Sequence, residues 1–514
     1  MSDARRDSGR NHPRLEPRRL PARSLKSALL LTSSIAAVTL FALLPASAAR
    51  AQFATATPAV NSLVAAIAAT PAEGDLLAAG PMPAGAALRS ATIWLQTKQA
   101  CSVELRYGID GSGSAAGETG TGGASAPMIA APAQATTLAG EHIAVFELDD
   151  LEPGTTYRYE LRLDGALVER PYPFTFKTQP LWEWRTDPPT VTVMIGSCFY
   201  VNEEQYDRPG KPYGSEHEIL GPMAAVRPDL MIWLGDNTYL REVDYFSPGG
   251  IRGRYRHTRS FPGLQPFLAS THHYATWDDH DFGPNDSDGS YPLKAQALET
   301  FSRYWPAPNH GVEGAPGVFQ RFRWADIDFF LLDDRYHRKP NRWPAGPDKR
   351  MLGLAQMNWL KEGLVSSDAT WKVVALGNQV LNDVGRFETF GRYPEERKEL
   401  LDWIVGQKID GVVFISGDRH RSELTRVEPP GGYPLYDFTS SSITAGIANL
   451  KEDDAEWSLP NRVEGTLLLE HSFGLMRFSG PRKERVVTFS AMGKDGTLRW
   501  ERSVARTELS SAKN

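Results

Sequence analysis

Leu230-Met231-Ile232-Trp233-Leu234-Gly235-Asp236-Asn237-Thr238-Tyr239 runs five apolar residues together, then breaks at a glycine into a carboxylate and a phenol. An apolar run of that length, bounded by a turn residue, reads as a strand buried on both faces, the kind that sits inside a covered sheet. The same grammar recurs four times. Val193-Met194-Ile195 leads into Gly196-Ser197-Cys198, and Ala275-Thr276-Trp277 into Asp278-Asp279-His280-Asp281. Ala375-Leu376 leads into Gly377-Asn378-Gln379, and Phe414-Ile415-Ser416 into Gly417-Asp418-Arg419-His420. Further buried-strand runs lie at 329–332, 373–376 and 412–415, and helix-like stretches at 294–304, 354–364 and 395–405 alternate with them. The pattern predicts a layered α/β domain over 190–505, a β-sandwich flanked by helices.

Sites in open α/β sheets form at the carboxyl ends of strands. Taken singly, each strand-end cluster has an ordinary explanation: Asp after Gly caps a turn, and a buried Cys is a small hydrophobe. Five clusters that mix thiol, carboxylate, phenol, amide and imidazole are another matter, because crowded carboxylates repel one another unless cations neutralise them. Together they point to a metal site.

Outward from this domain the texture changes. Between about 73 and 178 short alternating strands appear, with Ile93, Leu95 and Thr97, then Val103, Leu105 and Tyr107, then Ile143, Val145 and Leu148. These predict a small immunoglobulin-like, all-β sandwich, and the turn Leu151-Glu152-Pro153-Gly154 before Tyr157 has the form of a tyrosine corner. The Gly-, Ala- and Ser-rich stretch 108–140 reads as a flexible loop within it, 179–189 as a linker whose Trp side chains pack the domains together, and 506–514 as a disordered tail.

The amino terminus is Arg-rich, then uncharged from Ser27 to Leu44, then carries Pro45 and small-residue cleavage patterns, so 1–51 reads as an export signal. Removal leaves no stable membrane span and implies a periplasmic or extracellular destination, by the Sec route or, through Arg18-Arg19, the twin-arginine route. At 514 residues the chain exceeds one hydrophobic core, consistent with two folded units plus processed sequence. A net charge of −6 and the absence of a basic run argue against specific nucleic-acid recognition. Cys101 and Cys198 are the chain's two cysteines, and in an oxidising compartment they could pair.

The ordered set Gly-Ser-Cys, Gly-Asp-x-x-Tyr, Trp-Asp-Asp-His-Asp, Gly-Asn-Gln and Ser-Gly-Asp-Arg-His resembles the PhoD-like branch of the calcineurin-like metallophosphoesterases. Also similar are Asp281-Phe282-Gly283-Pro284-Asn285-Asp286, Leu332-Asp333-Asp334-Arg335 and Tyr433-Pro434-Leu435-Tyr436-Asp437 with Thr439-Ser440-Ser441. Gly80-Pro81-Met82 and Ile93-Trp94-Leu95-Gln96-Thr97 resemble the sandwich that precedes such phosphatases.

The resemblance implies an exported, metal-dependent phosphoesterase of the alkaline phosphatase D type, acting on phosphomonoesters, phosphodiesters or both. Its partner is a small phosphate ester, with phospholipids and nucleotides inside that class. The implied metal ligands are Cys198, Asp236, Tyr239, Asp279, Asn378, Asp418 and His420. A thiolate and a phenolate suit a ferric ion, which argues against a disulfide at Cys198, and Asp236 takes the bridging position. Asp279 suits a harder second metal, calcium or another divalent cation. The chain departs from the commoner pattern at Asp279, at Asn378 where a His is usual, and at Asp418 with His420 in place of a His-x-His pair. The division of ligands between two metals therefore stays open.

For catalysis the resemblance implies Asp236, His280, Arg335 and Arg419. His280 either stabilises a phosphate oxygen and protonates the leaving alcohol or makes a structural hydrogen bond to Asp236. Arg335, Arg419 and Arg421 either grip phosphate oxygens or pack structurally. Rival readings are a phospholipase D-like phosphodiesterase on the same scaffold, a serine nucleophile at Ser197 or Ser440–Ser442, and a secreted binding protein with a structural metal.

Overall fold

The computed structural model describes residues 74–111, 127–384 and 387–511, so the expected export signal lies outside the described residues. No helix among them is long and apolar enough to cross a membrane.

The amino-terminal part consists of β1 (Leu77–Ala86), β2 (Ala91–Thr97), β3 (Ser102–Ile109), β4 (Ile129–Ala130), β5 (Gln134–Ala135), β6 (Ile143–Leu148), β7 (Thr156–Leu163), β8 (Ala166–Leu167) and β9 (Thr175–Lys177). One sheet runs β1-β2-β6, and the other is built around the β3-β7 pair. Alternate residues meet between them: Ile93 and Leu95 from β2, Val103 and Leu105 from β3, and Tyr157, Leu161 and Leu163 from β7. The turn before β7 is pinned by Glu152 N donating to Tyr157 Oη at 2.8 Å.

Two expectations need correction here. The stretch 108–140 is not loop throughout, because β4 and β5 pair antiparallel with β3; strands of two residues carry no alternation to read. In β6 the sandwich side is Ala144, Phe146 and Leu148. Ile143 and Val145 point the other way and pack on the cluster around Trp94, Met223 and Phe301, so this small sheet is covered on both faces.

The carboxy-terminal part follows as β10 (Val191–Gly196), α1 (Leu220–Val226), β11 (Leu230–Leu234), α2 (Pro248–Arg259), α3 (Gln265–Leu268), β12 (His272–Thr276), α4 (Asp279–Phe282) and α5 (Lys294–Tyr304). It continues with β13 (Gln320–Trp324), β14 (Ile327–Leu331), α6 (Gly353–Ser366), β15 (Trp371–Leu376), α7 (Pro394–Gly406), β16 (Val412–Ser416), β17 (Glu423–Val427), β18 (Leu435–Thr439), β19 (Ser472–Ser479), β20 (Val486–Gly493) and β21 (Leu498–Ala505). Two six-stranded sheets result, ordered β12-β11-β10-β19-β20-β21 and β13-β14-β15-β16-β18-β17. The site-bearing strands β10, β11 and β12 are mutually parallel, as are β14, β15, β16 and β18. Parallel pairing puts all their carboxyl ends on one rim.

Val193, Ile195 and Ile232 of the first sheet and Phe329, Val373 and Phe414 of the second share one buried cluster, which extends to Met357 and Leu360 of α6 and Leu400 and Ile404 of α7. The layers are the predicted ones, sheet on sheet with helices outside. The linker is ordered: the Gln179 amide donates to Ala86 O at 2.8 Å and Arg323 O at 2.9 Å, and Trp182 packs on the core. Trp184 is 91% exposed and packs nothing together. The expected disordered tail is ordered as far as residue 511, because Leu509 is buried and its carbonyl accepts from Gly411 N at 2.8 Å.

Candidate metal centre

Parallel strands end together, so the turns after β10, β11, β12, β15 and β16 crowd one rim. The crowding explains the glycine that precedes the functional residue in four of them. A side chain at Gly417 would begin 2.4 Å from Leu234 O, and one at Gly235 would begin 2.6 Å from Asp278 Cβ. Cys198, Asp236, Asp418 and His420 all have left-handed backbone, at φ of 60°, 52°, 63° and 53°. A non-glycine residue holds that conformation only where its surroundings over-determine it, and such residues gather at functional sites.

The side chains converge in three overlapping groups whose donor atoms lie within 4.8 Å of one another: Cys198, Asp236 and His420; Asp236, Asp279 and His280; Asp279, Asp286 and Glu388. Asp236 belongs to the first two, the position a bridging carboxylate needs. Cys198 Sγ lies 3.6 Å from Asp236 Oδ2, and Tyr239 Oη lies 3.4 Å from His420 Nε2. Ser441 Oγ donates to Cys198 Sγ at 3.1 Å, and Ser197 Oγ donates to Ser440 O at 3.0 Å. Those serines support the thiol and backbone, which leaves no basis for a serine nucleophile there. Cys101 is a free thiol in the sandwich core and does not pair with Cys198.

The electrostatics ask for cations. Burial pushes the Cys198 thiol up to about 11, assisted by the Asp418 charge and opposed by hydrogen bonds from Ser197 and Ser441. Burial, and then Cys198 and Asp279, raise the Asp236 carboxyl well above the usual range, and burial with Asp236 and Cys198 does the same to the Tyr239 phenol. Burial lowers His280 to about 4, so its imidazole is neutral near pH 7, and its Nδ1 is buried with no partner among the described residues. A protonated thiol, a neutral imidazole with an orphaned nitrogen and an Asp236 carboxyl raised by burial and its neighbours are what a metal-binding donor set looks like without its charge, while Asp279 is held down to about 2 and stays ionised. The residues present therefore fit a metal pair.

Several predicted residues are placed differently. Asn378 is buried, with Nδ2 donating to both Asp278 oxygens at 3.2 Å and Oδ1 accepting from Arg338 at 3.0 Å. Its amide is committed, so a ligand role would have to break that pairing. Arg335 is fully buried, bonded to Asp278 and paired with Glu388 at 2.7 Å, so it is not a phosphate clamp. Arg419 is likewise held by Glu456, at 2.5 Å, and Arg421 by Glu423 and Glu456, each at 2.9 Å. Asp418 lines the same cavity as Asp236, Asp279, His280 and His420, with Arg419 Nη1 at 3.4 Å from its Oδ2. His280 meets Asp236 through its backbone N–H, at 3.3 Å, while its ring lies 4.3 Å from the Tyr239 ring. The imidazole is thereby free to act as a donor within the second group. His272 and His273 are structural: His272 Nε2 lies 2.9 Å from Lys177 O, and His273 Nδ1 accepts from Trp233 at 3.0 Å.

Sequence reasoning missed Asp278, Asp281, Asp286, Glu388 and Ser441 as working parts. Asp281 accepts from Asn237 N and Thr238 N at 3.0 and 3.1 Å and so sets the turn that aims Asp236. Four of the five sit inside stretches already singled out and could have been found there; Glu388 has no motif around it.

Comparison with known proteins bears on family and fold. A family profile described as PhoD-like phosphatase matches residues 210–477, more than half of the chain, and a domain of unknown function, DUF7800, matches residues 75–181. Alkaline phosphatase D of Bacillus subtilis (strain 168) is 24% identical over 363 residues, 59% of this chain and 58% of that protein, so the match spans less than two thirds of this relative's length. A solved structure of PhoD superposes with a TM-score of 0.66 at 18% identity, covering 85% of this chain and 93% of its own. A purple acid phosphatase from yellow lupin (Lupinus luteus) seeds superposes with a TM-score of 0.58 at 13% identity, covering 83% and 74%. At those identities the two structures speak to fold alone. With the profile spanning Asp236 through His420, the chain belongs to the PhoD-like phosphatase family.

Proposed function

We propose that the chain is an exported hydrolase of phosphate esters that accepts monoesters and diesters and uses a water nucleophile. The observation that carries this reading is the overlap of the first two donor groups at Asp236. Cys198, Tyr239 and His420 with Asp236 would hold a ferric ion, and Asp279, His280 and Asp418 with Asp236 a calcium or other divalent ion. Bound there, the pair supplies an acidified water and positive charge for the phosphate oxygens.

The chain's own residues do the rest. Ser441 keeps the sulfur of Cys198 oriented, and Asp281 holds the turn that presents Asp236. His280, neutral and buried, is free to accept a proton or a metal through Nδ1. Arg335 and Arg338 hold Asp278 and Asn378 in place behind the site and Glu388 at its edge. A cavity of about 940 Å³ opens over the donors, near the upper end of roughly 300–1,000 Å³ for small-molecule sites, which leaves room for both substituents of a diester. Export rests on the signal-like segment 1–51 and suits a thiol kept from oxidation by a metal.

The test is hydrolysis of p-nitrophenyl phosphate and bis-p-nitrophenyl phosphate by purified protein before and after dialysis against a chelator to zero metal. Activity should vanish with the metal and return on adding ferrous or ferric iron with calcium. Hydrolysis that persists in metal-free protein would refute the reading.

A further inference from the structure

Among the described residues, four arginines line the cavity over the donor groups: Arg342, Arg392, Arg419 and Arg421. Three are engaged. Arg419 and Arg421 are closed off by Glu456 and Glu423, and Arg392 donates from Nε to Phe387 O at 2.8 Å. Arg342 is exposed and makes no ion pair among the described residues.

On the wall that carries Arg342, Arg338 is paired with Glu388 at 2.6 Å, and a further basic group stands nearby. Lys349 lies against that wall, donating to Asn341 O at 2.9 Å, and its ammonium is destabilised by burial and then by Arg392 and Arg338. Phe387, 49% exposed, presents an aromatic surface in the same cavity. The lining also carries Asp286, Asp288 and Asp454, with Asp288 next to Gly289, whose N donates to Arg338 O at 2.9 Å. A second anion on a substrate therefore meets repulsion over much of the mouth and attraction beside Arg342.

We infer that Arg342 is a specificity-determining residue that reads a second phosphate on the substrate, so that the cavity favours phosphodiesters whose non-leaving alcohol carries a further phosphate. This rests on the hydrolase reading above. A guanidinium suits the task because it stays charged and grips two phosphate oxygens at once.

The test compares thymidine 5′-(p-nitrophenyl phosphate) with and without a 3′-phosphate on the full metal-loaded chain. For a solvent-exposed contact of this kind, kcat/KM should be roughly three- to tenfold higher for the 3′-phosphorylated ester. Arg342→Gln should bring the two esters level, and Arg342→Lys should keep part of the preference. Equal kcat/KM in the wild type, or a preference that survives Arg342→Gln, overturns the assignment. Calorimetric binding of thymidine 3′,5′-bisphosphate against thymidine 5′-phosphate makes the same comparison without turnover. A bisphosphate preference that disappears in Arg342→Gln supports Arg342 even if neither ester is hydrolysed, a result that would instead refute the hydrolase reading; equal affinities in the wild type overturn the proposal for Arg342.

Discussion

At the scale of single residues, the centre depends on groups that support its donors as much as on the donors. Ser441 is the clearest case, with its hydroxyl 3.1 Å from Cys198 Sγ and its Oγ also accepting from His420 N at 3.0 Å. Outer partners of this kind typically contribute about 10- to 100-fold in metal affinity. Ser441→Ala should therefore weaken metal retention by a factor of that order, read by elemental analysis after dialysis against graded chelator, while thermal melting of the metal-free protein barely moves. Equal retention would show that the hydroxyl does not matter to the sulfur. The donors themselves were legible because each follows a buried-strand run, as Asp236 follows Leu230–Leu234. The fate of the arginines was not. Whether Arg335 or Arg419 grips phosphate depends on Glu388 and Glu456, acids that lie 53 and 37 residues away with no motif to mark them. The pairing of the Asn378 amide was hidden for the same reason, since its partners Asp278 and Arg338 meet it only once three strand ends share a rim.

At the scale of elements, β12 shows how the sheet makes the site depend on acidity. His272 and His273 begin the strand that ends in the Asp278–Asp281 cluster, and both are buried. Burial lowers their titration from the usual 6.5 to about 4 for His272 and about 3 for His273, with Arg259 adding to the effect at His273. Between those values and 6.5 the unfolded chain binds more protons than the native one, so stability rises with pH and is lost as pH falls from about 6.5 toward 3. Replacing His273 by Gln should flatten the decline in urea-unfolding stability between pH 6.5 and 4; an unchanged slope would show that another group governs it. Strands made of unbroken apolar runs, such as β11, announced themselves by composition, whereas the mixed sequences of β13, β17 and β19 to β21 did not. The two-residue β4 and β5, and the segment ending at Leu509, were hidden because they are held by partners from elsewhere in the chain.

At the scale of the whole molecule, the sandwich is joined to the phosphatase part by buried contacts. Trp94 Nε1 donates to Arg303 O at 2.8 Å, Gly80 N to Gln265 Oε1 at 2.7 Å, and the Arg259 guanidinium lies 3.9 Å from the Trp305 ring centroid and 5.1 Å from that of Trp94. Ile143 and Val145 add apolar surface to the same junction. An interface this apolar couples the stabilities of the two parts. Calorimetry should thus give one cooperative unfolding transition for residues 74–511, and two separated transitions would show that the sandwich is an independent appendage. Two domains were readable from the change in strand texture near residue 190, and docking was expected of the linker; the sandwich face that makes it was not, because Trp94 and Val145 look like ordinary core residues of the sandwich until the second covered face is seen.

The central claim is that a thiol and a set of carboxylates and imidazoles drawn from four strand ends hold catalytic metals in one place. Its most direct test measures metal per chain together with turnover of p-nitrophenyl phosphate in the wild type and in Cys198→Ala. The account predicts at least two metals per chain in the wild type, iron among them, and the joint loss of iron and activity in the variant. A Cys198→Ala protein that keeps both its iron and its rate would contradict it.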